Sequence, residues 1–94
     1  MLHSQLRLAV MSLLIGVEEA DFVFLKEKTG ATAGNLSVQI DKLSEAGYIS
    51  VAKTFKGKMP CTTCKITKQG VSAFNNYVKA LQVYITIDKL SHNL

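Results

Sequence analysis

Residues 21–66, DFVFLKEKTGATAGNLSVQIDKLSEAGYISVAKTFKGKMPCTTCKI, decide the fold, because they run through two short helical patterns, a break and two strand-like patterns in turn. Glu18, Glu19 and Asp21 make an acidic start to the first of these helices, where negative charge suits the exposed N–H groups. Phe22, Val23 and Leu25 are expected to face inward, and Lys28, Thr29 and Gly30 end the helix. Thr32 can cap the next one, in which Leu36, Ile40 and Leu43 mark a single buried stripe and Gly47 closes the run.

Two helices separated by three or four residues containing glycine have the spacing of a helix-turn-helix, but a plain helical hairpin has it too. The continuation separates the two. Residues 48–55 (YISVAKTF) combine β-branched and aromatic residues in near alternation, Lys56 to Pro60 read as a turn, and residues 61–66 (CTTCKI) read as a return strand. The resulting hairpin, residues 48–66, has a basic tip. Between residues 49 and 68 stand Lys53, Lys56, Lys58, Lys65 and Lys68, with no acid among them.

Outward from this centre, Leu6, Ala9, Val10, Leu13 and Leu14 recur at helical spacing from Ser4 to Ile15, and Gly16 stands where that helix is expected to stop. After the hairpin, Thr67 can cap a long last helix, about residues 67–91. It carries two apolar stripes: Val71, Phe74, Val78, Leu81 and Ile85, and Ala73, Tyr77, Ala80, Tyr84 and Ile87. One stripe can close the domain's own core while the other meets a partner. The run VYITI at 83–87 is rich in β-branched residues, but the stripes continue through it and favour helix.

The expected fold class is therefore mainly α with a small β-hairpin (α+β), as one domain over residues 1–94. A chain of 94 residues buries only about 60–65% of its unfolded surface. Yet 48% of its residues are hydrophobic and its mean hydropathy is +0.19, so association with a second copy would absorb the excess. The net charge of +4 and pI near 9.2 suit a polyanionic partner. The apolar run from Leu6 to Val17 is too short to span a bilayer and lacks a basic leader with a cleavage site. Two cysteines make no disulfide framework, so the expected location is the cytoplasm.

Residues 20–58, and within them NLSVQIDKLSEAGYI (35–49), together with the strand-to-helix junction KITKQG (65–70), resemble winged-helix DNA-binding transcriptional regulators of the MarR and ArsR type. The similarity covers nearly the whole chain. It implies a third helix in the major groove, a wing on the minor groove or backbone, and terminal helices that make a homodimer on a pseudo-palindromic site. The implied dimer surface holds Leu6, Val10 and Leu13 of the first helix and Tyr77, Leu81, Tyr84, Ile85 and Ile87 of the last. The wing departs from its relatives in carrying lysines rather than arginines, the sole arginine being Arg7. Lysine reads a narrow groove less well, which moves the wing's expected role toward the backbone.

At 100° per residue, the stripe of Leu36, Ile40 and Leu43 turns Gly34, Ser37, Val38, Asp41, Lys42 and Glu45 outward, with Asn35 and Gln39 on its shoulder. Asn35 and Gln39 can bond an adenine edge, Ser37 a base or phosphate, and Val38 a thymine methyl. Thr32, Lys42, Lys53, Lys56, Lys58 and Lys65 suit phosphates. Asp41 and Glu45 repel them, which tilts the helix's later half away from a duplex. Each residue also has a plainer reading as solvated surface, and strand lysines commonly protect an edge.

Cys61 and Cys64 form a CxxC, but on an extended strand they lie about 10 Å apart on opposite faces, beyond disulfide reach. Zinc would need further ligands, and His3 and His92 stand near the chain ends. One cysteine facing the core and one exposed is the expectation, with no metal and no cofactor. No nucleophile with a nearby base and no phosphate-cradling loop suggests an enzyme. The expected function is a sequence-specific regulator acting as a homodimer on double-stranded DNA. The alternatives are a protein-interaction module of the same fold, or a sensor gated by redox chemistry or by a small-molecule effector.

Overall fold

The computed structural model describes residues 5–92, with side chains described through Gln82. Helix α1 (Gln5–Val17) leads into a short strand β1 (Glu19–Asp21), then helices α2 (Phe22–Thr29) and α3 (Ala33–Glu45), strands β2 (Ile49–Lys56) and β3 (Met59–Ile66), and helix α4 (Lys68–His92). The strands form one antiparallel sheet in the order β1-β3-β2. The expected α+β class holds, with a third strand added to the hairpin.

That third strand corrects the sequence reading at residues 18–21. Glu18 does not begin a helix; at φ 67° it is the described non-glycine residue with a left-handed backbone, and it turns the chain out of α1. Gly16, expected as the stop, lies inside α1, and the end falls where the Glu18 N–H reaches the Leu14 carbonyl at 2.7 Å. Glu19, Ala20 and Asp21 then pair with Lys65, Cys64 and Thr63. Three residues carry no periodicity of their own, so only pairing with β3 makes them a strand.

Asp21 ends β1 and also caps α2, its carboxylate accepting from the Phe24 N–H at 2.8 Å. Leu25 is fully buried and Phe22 and Phe24 pack against the core, whereas Val23 is 63% exposed and not inward as expected. With Phe22 and Leu25 three apart on the inner face, the residue after Phe22 is rotated about 100° away from it. Gly30, at φ 69°, ends α2, and Thr32 starts α3 by accepting from the Asn35 N–H at 3.2 Å.

Leu36, Ile40 and Leu43 are buried as the stripe requires. Gly47 closes α3 at φ 79°, with its own N–H on the Ser44 carbonyl at 3.0 Å and the Tyr48 N–H on the Leu43 carbonyl at 3.0 Å. This pair of bonds is a Schellman ending. The hairpin turn is tighter than the sequence suggested. Lys56 pairs with Met59, so only Gly57 and Lys58 are unpaired. Gly57, at φ 67°, takes the first central position as a type II′ turn demands. Pro60, expected in the turn, lies in β3 opposite Phe55. Counting out from the tip pair, Phe55 and Pro60 exchange no ladder bonds, so the missing N–H costs β2 nothing.

The core joins Val10, Met11 and Leu14 of α1 to Leu25, the α3 stripe, Ala20, Ile49 and Cys64. From α4, Phe74 and Tyr77 pack against it among the described residues, one from each apolar stripe. The helix continues through 83–87 as the stripes required. At about 1.5 Å per residue its 25 residues reach roughly 37 Å.

The start of α4 is tied to the end of α3. The Thr67 hydroxyl donates to the Gly47 carbonyl at 2.7 Å and accepts from the Gly70 N–H at 3.0 Å, while the Thr67 N–H reaches the Tyr48 carbonyl at 3.1 Å. Gly70 is buried, and a Cβ there would run into the Tyr48 carbonyl. Backbone cannot retreat as a side chain can, so Gly70→Ala is expected to destabilise the fold by about 2 kcal/mol or more, read as a lowered urea midpoint.

Cys64 is fully buried between Ala20 and Val51, and desolvation pushes its thiol from the ordinary 9.0 up to about 11. Below about pH 9 folded and unfolded chains both keep this proton, and its contribution to stability is unaltered. Between about 9 and about 11 the unfolded chain loses the proton first, so stability falls across that window. The fall in urea midpoint over this range is expected to be shallower in Cys64→Ala than in the wild type.

Candidate nucleic-acid interface

The structure presents the outer side of α3 much as its stripe implied. Asn35, Ser37 and Lys42 are exposed, Val38 is 49% exposed, and Thr32 is exposed with its hydroxyl serving as the cap. With Leu36, Ile40 and Leu43 locked in the core, this face cannot roll without breaking it. The first turn of α3 therefore offers capped N–H groups beside small, uncharged side chains, a surface that can approach base edges closely.

Gln39 is placed differently from these five. It is half-buried, and both ends of its amide are engaged within the protein. Its Oε1 accepts from Arg7 Nη1 at 2.6 Å and its Nε2 donates to Asn35 Oδ1 at 3.2 Å. Arg7 is the sole arginine of the chain. Nothing in its spacing connects it to residue 39; the approach of α1 to α3 does.

The wing lysines are all exposed, but the hairpin does not gather them on one surface. Cross-strand partners share a face, so Lys53 and Thr62 follow Ile49, Ile66, Val51 and Cys64 on the core-side face toward the tip. Lys56 and Met59 lie on the other face, and Lys58 sits in the turn. Lys65 shares the face of Lys56 but lies at the base, flanked by Ser50 and Glu19. Six residues of strand separate it from Met59, about 20 Å at 3.3 Å each. Lys56 and Lys58 make the concentrated charge; Lys65 belongs to a separate region.

Val10 is fully buried within the protomer and is therefore unavailable to a partner, which corrects its assignment to a dimer surface. Leu6, Leu13 and Tyr77 are half-buried against the same core, and Leu81 is 45% exposed. Tyr84, Ile85 and Ile87 lie outside the residues whose side chains are described. Cys61 is half-buried rather than open, and it pairs with Thr54 on the sheet face opposite that of Cys64; both thiols are free.

Other chemistry finds little purchase among the described residues. No group of three or more His, Cys, Asp or Glu is placed to hold a metal ion, and no helix is long and apolar enough to cross a membrane. An open groove of about 390 Å³ lies between the start of α2 and the wing, lined in part by Phe22, Val23, Met59 and Cys61.

Comparison with known proteins points the same way as the geometry. Residues 6–85 match the family described as winged helix DNA-binding domain. An uncharacterized protein of Methanocaldococcus jannaschii is 40% identical over 77 residues, covering 81% of this chain and 83% of that protein. Among solved structures, a transcriptional regulator homologue from Pyrococcus horikoshii superposes with a TM-score of 0.83 at 27% identity, over 95% of this chain and 86% of its own. A transcriptional regulator from Clostridium thermocellum gives a TM-score of 0.68 over 89% and 86% of the two chains, and its 16% identity speaks for the fold alone. With two capped helices, a basic hairpin and a family match that runs from α1 into α4, this chain belongs to the winged helix DNA-binding domain family.

Proposed function

We propose that this chain is a sequence-specific transcriptional regulator that acts as a homodimer, with the start of α3 in the major groove and the wing tip on the backbone. The observation that carries the reading is the exposed face of Asn35, Ser37 and Val38 on a helix whose opposite side is locked in the core. Base contacts would come from that face, and Lys56 and Lys58 would anchor phosphates. Occupancy of an operator would be the regulatory act, in keeping with the family and with the regulator homologue that shares its fold.

Support for the dimer is a matter of surface. The accessible area is 6594 Å², against about 5,400 Å² for a compact protein of this mass. Leu81 stands exposed on α4 beyond the core contacts of Phe74 and Tyr77. A pair of such helices would cover it, and two α3 helices about 34 Å apart would then meet successive major grooves. Leu81→Glu is expected to shift the mass in sedimentation equilibrium from twice 10.3 kDa toward 10.3 kDa.

Mobility-shift titration against genomic fragments tests the reading directly, and binding no stronger than to bulk DNA at low salt would remove it. Replacing Lys56 and Lys58 together by Gln is expected to weaken binding to all sequences alike. If both meet phosphates, the slope of log affinity against log salt should become shallower by about 1.8. A second reading, a protein-interaction module, is favoured by one feature: Phe55 and Met59 near the wing tip are 75% and 71% exposed. A stable hetero-complex formed without any salt-dependent DNA binding would select it.

A further inference from the structure

The amide of Gln39 bridges helix α1 to the first turn of α3, and the direction of that bridge is set by chemistry. Arg7 carries donors and no acceptor. Facing Gln39 at 2.6 Å, it can be met only by the carbonyl oxygen Oε1. The other end of the same amide is then Nε2, which has only hydrogens to offer, and its partner at 3.2 Å is Asn35 Oδ1. With Oδ1 drawn back along the helix, the Nδ2 group of Asn35 is the end left for an incoming ligand. One donor-only side chain on α1 thus orders two amides in series.

We propose that Arg7 is a positioning residue for base reading: through Gln39 it presents Asn35 to DNA as a hydrogen-bond donor. The proposal rests on α3 being the DNA-contacting helix. Asn35 is exposed on the first turn, next to the Thr32 cap, in the part of the helix expected to reach base edges. An asparagine free to turn can bond adenine with both ends, giving to N7 and taking from the N6 amino group. An asparagine held donor-outward fits an edge that offers acceptors without a donor, and guanine supplies O6 and N7. Gln39, with both ends of its amide occupied, acts through Asn35 rather than on a base.

The polarity can be broken and reversed at a single position. Arg7→Met leaves the two amides without a fixed direction. Arg7→Glu supplies an acceptor, which would draw in Gln39 Nε2, turn Oε1 toward Asn35 Nδ2 and leave Asn35 Oδ1 outward. Arg7→Lys keeps a donor-only head.

Binding sites selected from a randomised duplex library by the wild type and the three variants, each checked for folding by circular dichroism, read the effect. In the wild type, one position in each half-site is expected to favour guanine over adenine by roughly tenfold. Arg7→Met should reduce that preference to about twofold or less while leaving the other positions and the salt slope unchanged, and Arg7→Lys should retain it. Arg7→Glu should move the preference toward bases that offer an amino group, adenine or cytosine.

A guanine preference that survives both Arg7→Met and Arg7→Glu in folded protein would overturn the proposal while leaving the DNA reading intact. So would a uniform loss of affinity with a shallower salt slope in Arg7→Met, which would make Arg7 a phosphate contact. If Arg7→Met does not fold, the contrast between Arg7→Lys and Arg7→Glu decides the matter. Absence of sequence preference in the wild type would remove the DNA reading and this inference with it.

Discussion

The Thr67 hydroxyl stands where three elements meet, and its two bonds leave those elements little freedom. By donating to the Gly47 carbonyl and accepting from the Gly70 N–H, it joins the end of α3 to the start of α4. The Thr67 N–H adds the Tyr48 carbonyl, at the point where the chain leaves α3 for β2. The junction can close only because Gly70 has no side chain to meet Tyr48 and because Gly47 accepts a left-handed backbone. From it follow the direction in which β2 departs, the return of β3 and the line along which α4 leaves the core.

The outer face of α3 inherits its rigidity from that arrangement. Leu36, Ile40 and Leu43 hold one side of α3 in a core closed by α1 and the sheet, so Ser37 and Val38 are directed outward. The wing is more exposed. Beyond Val51 and Cys64 its side chains are half-buried or open, and its shape rests on the ladder from Ile49–Ile66 to Lys56–Met59 and on the two-residue turn. Long lysines on such a ribbon suit contacts that tolerate motion, as those to a phosphate backbone do, better than contacts that require register.

The two cysteines show how one strand divides chemistry between its faces. Cys64 sits in the sheet between Ala20 and Val51, where desolvation holds its thiol neutral at any physiological pH. Thiolate character is what makes cysteine reactive, so this thiol acts as a small apolar side chain. Three residues earlier the pleat has turned Cys61 to the other face. The CxxC spacing that brings two thiols together on a helix keeps them apart here.

Much of this architecture was legible in the chain itself. The stripe Leu36, Ile40 and Leu43, the caps at Thr32 and Thr67, the end of α3 at Gly47 and the alternation through 48–55 are local signals, because caps, turns and periodicities are written in neighbouring residues. The exposed candidates on α3 followed from the stripe by rotation alone. Strand β1 had no such signal, since Glu19–Asp21 is a strand only by virtue of β3, and the acidic run resembled a helix start. Val10 belonged to an apolar stripe that periodicity could not divide between core and partner; the packing of α1 on α3 and the sheet decided it. Gln39 lay on the shoulder of its helix, free to be read as a base contact until Arg7, thirty-two positions earlier, was brought against it. Local patterns determine which elements form and which side of each is apolar, because those depend on neighbours a few residues away. Which polar groups are used up between elements is decided by tertiary structure, because a hydrogen bond between distant residues exists only once the core has set the helices at bonding distance.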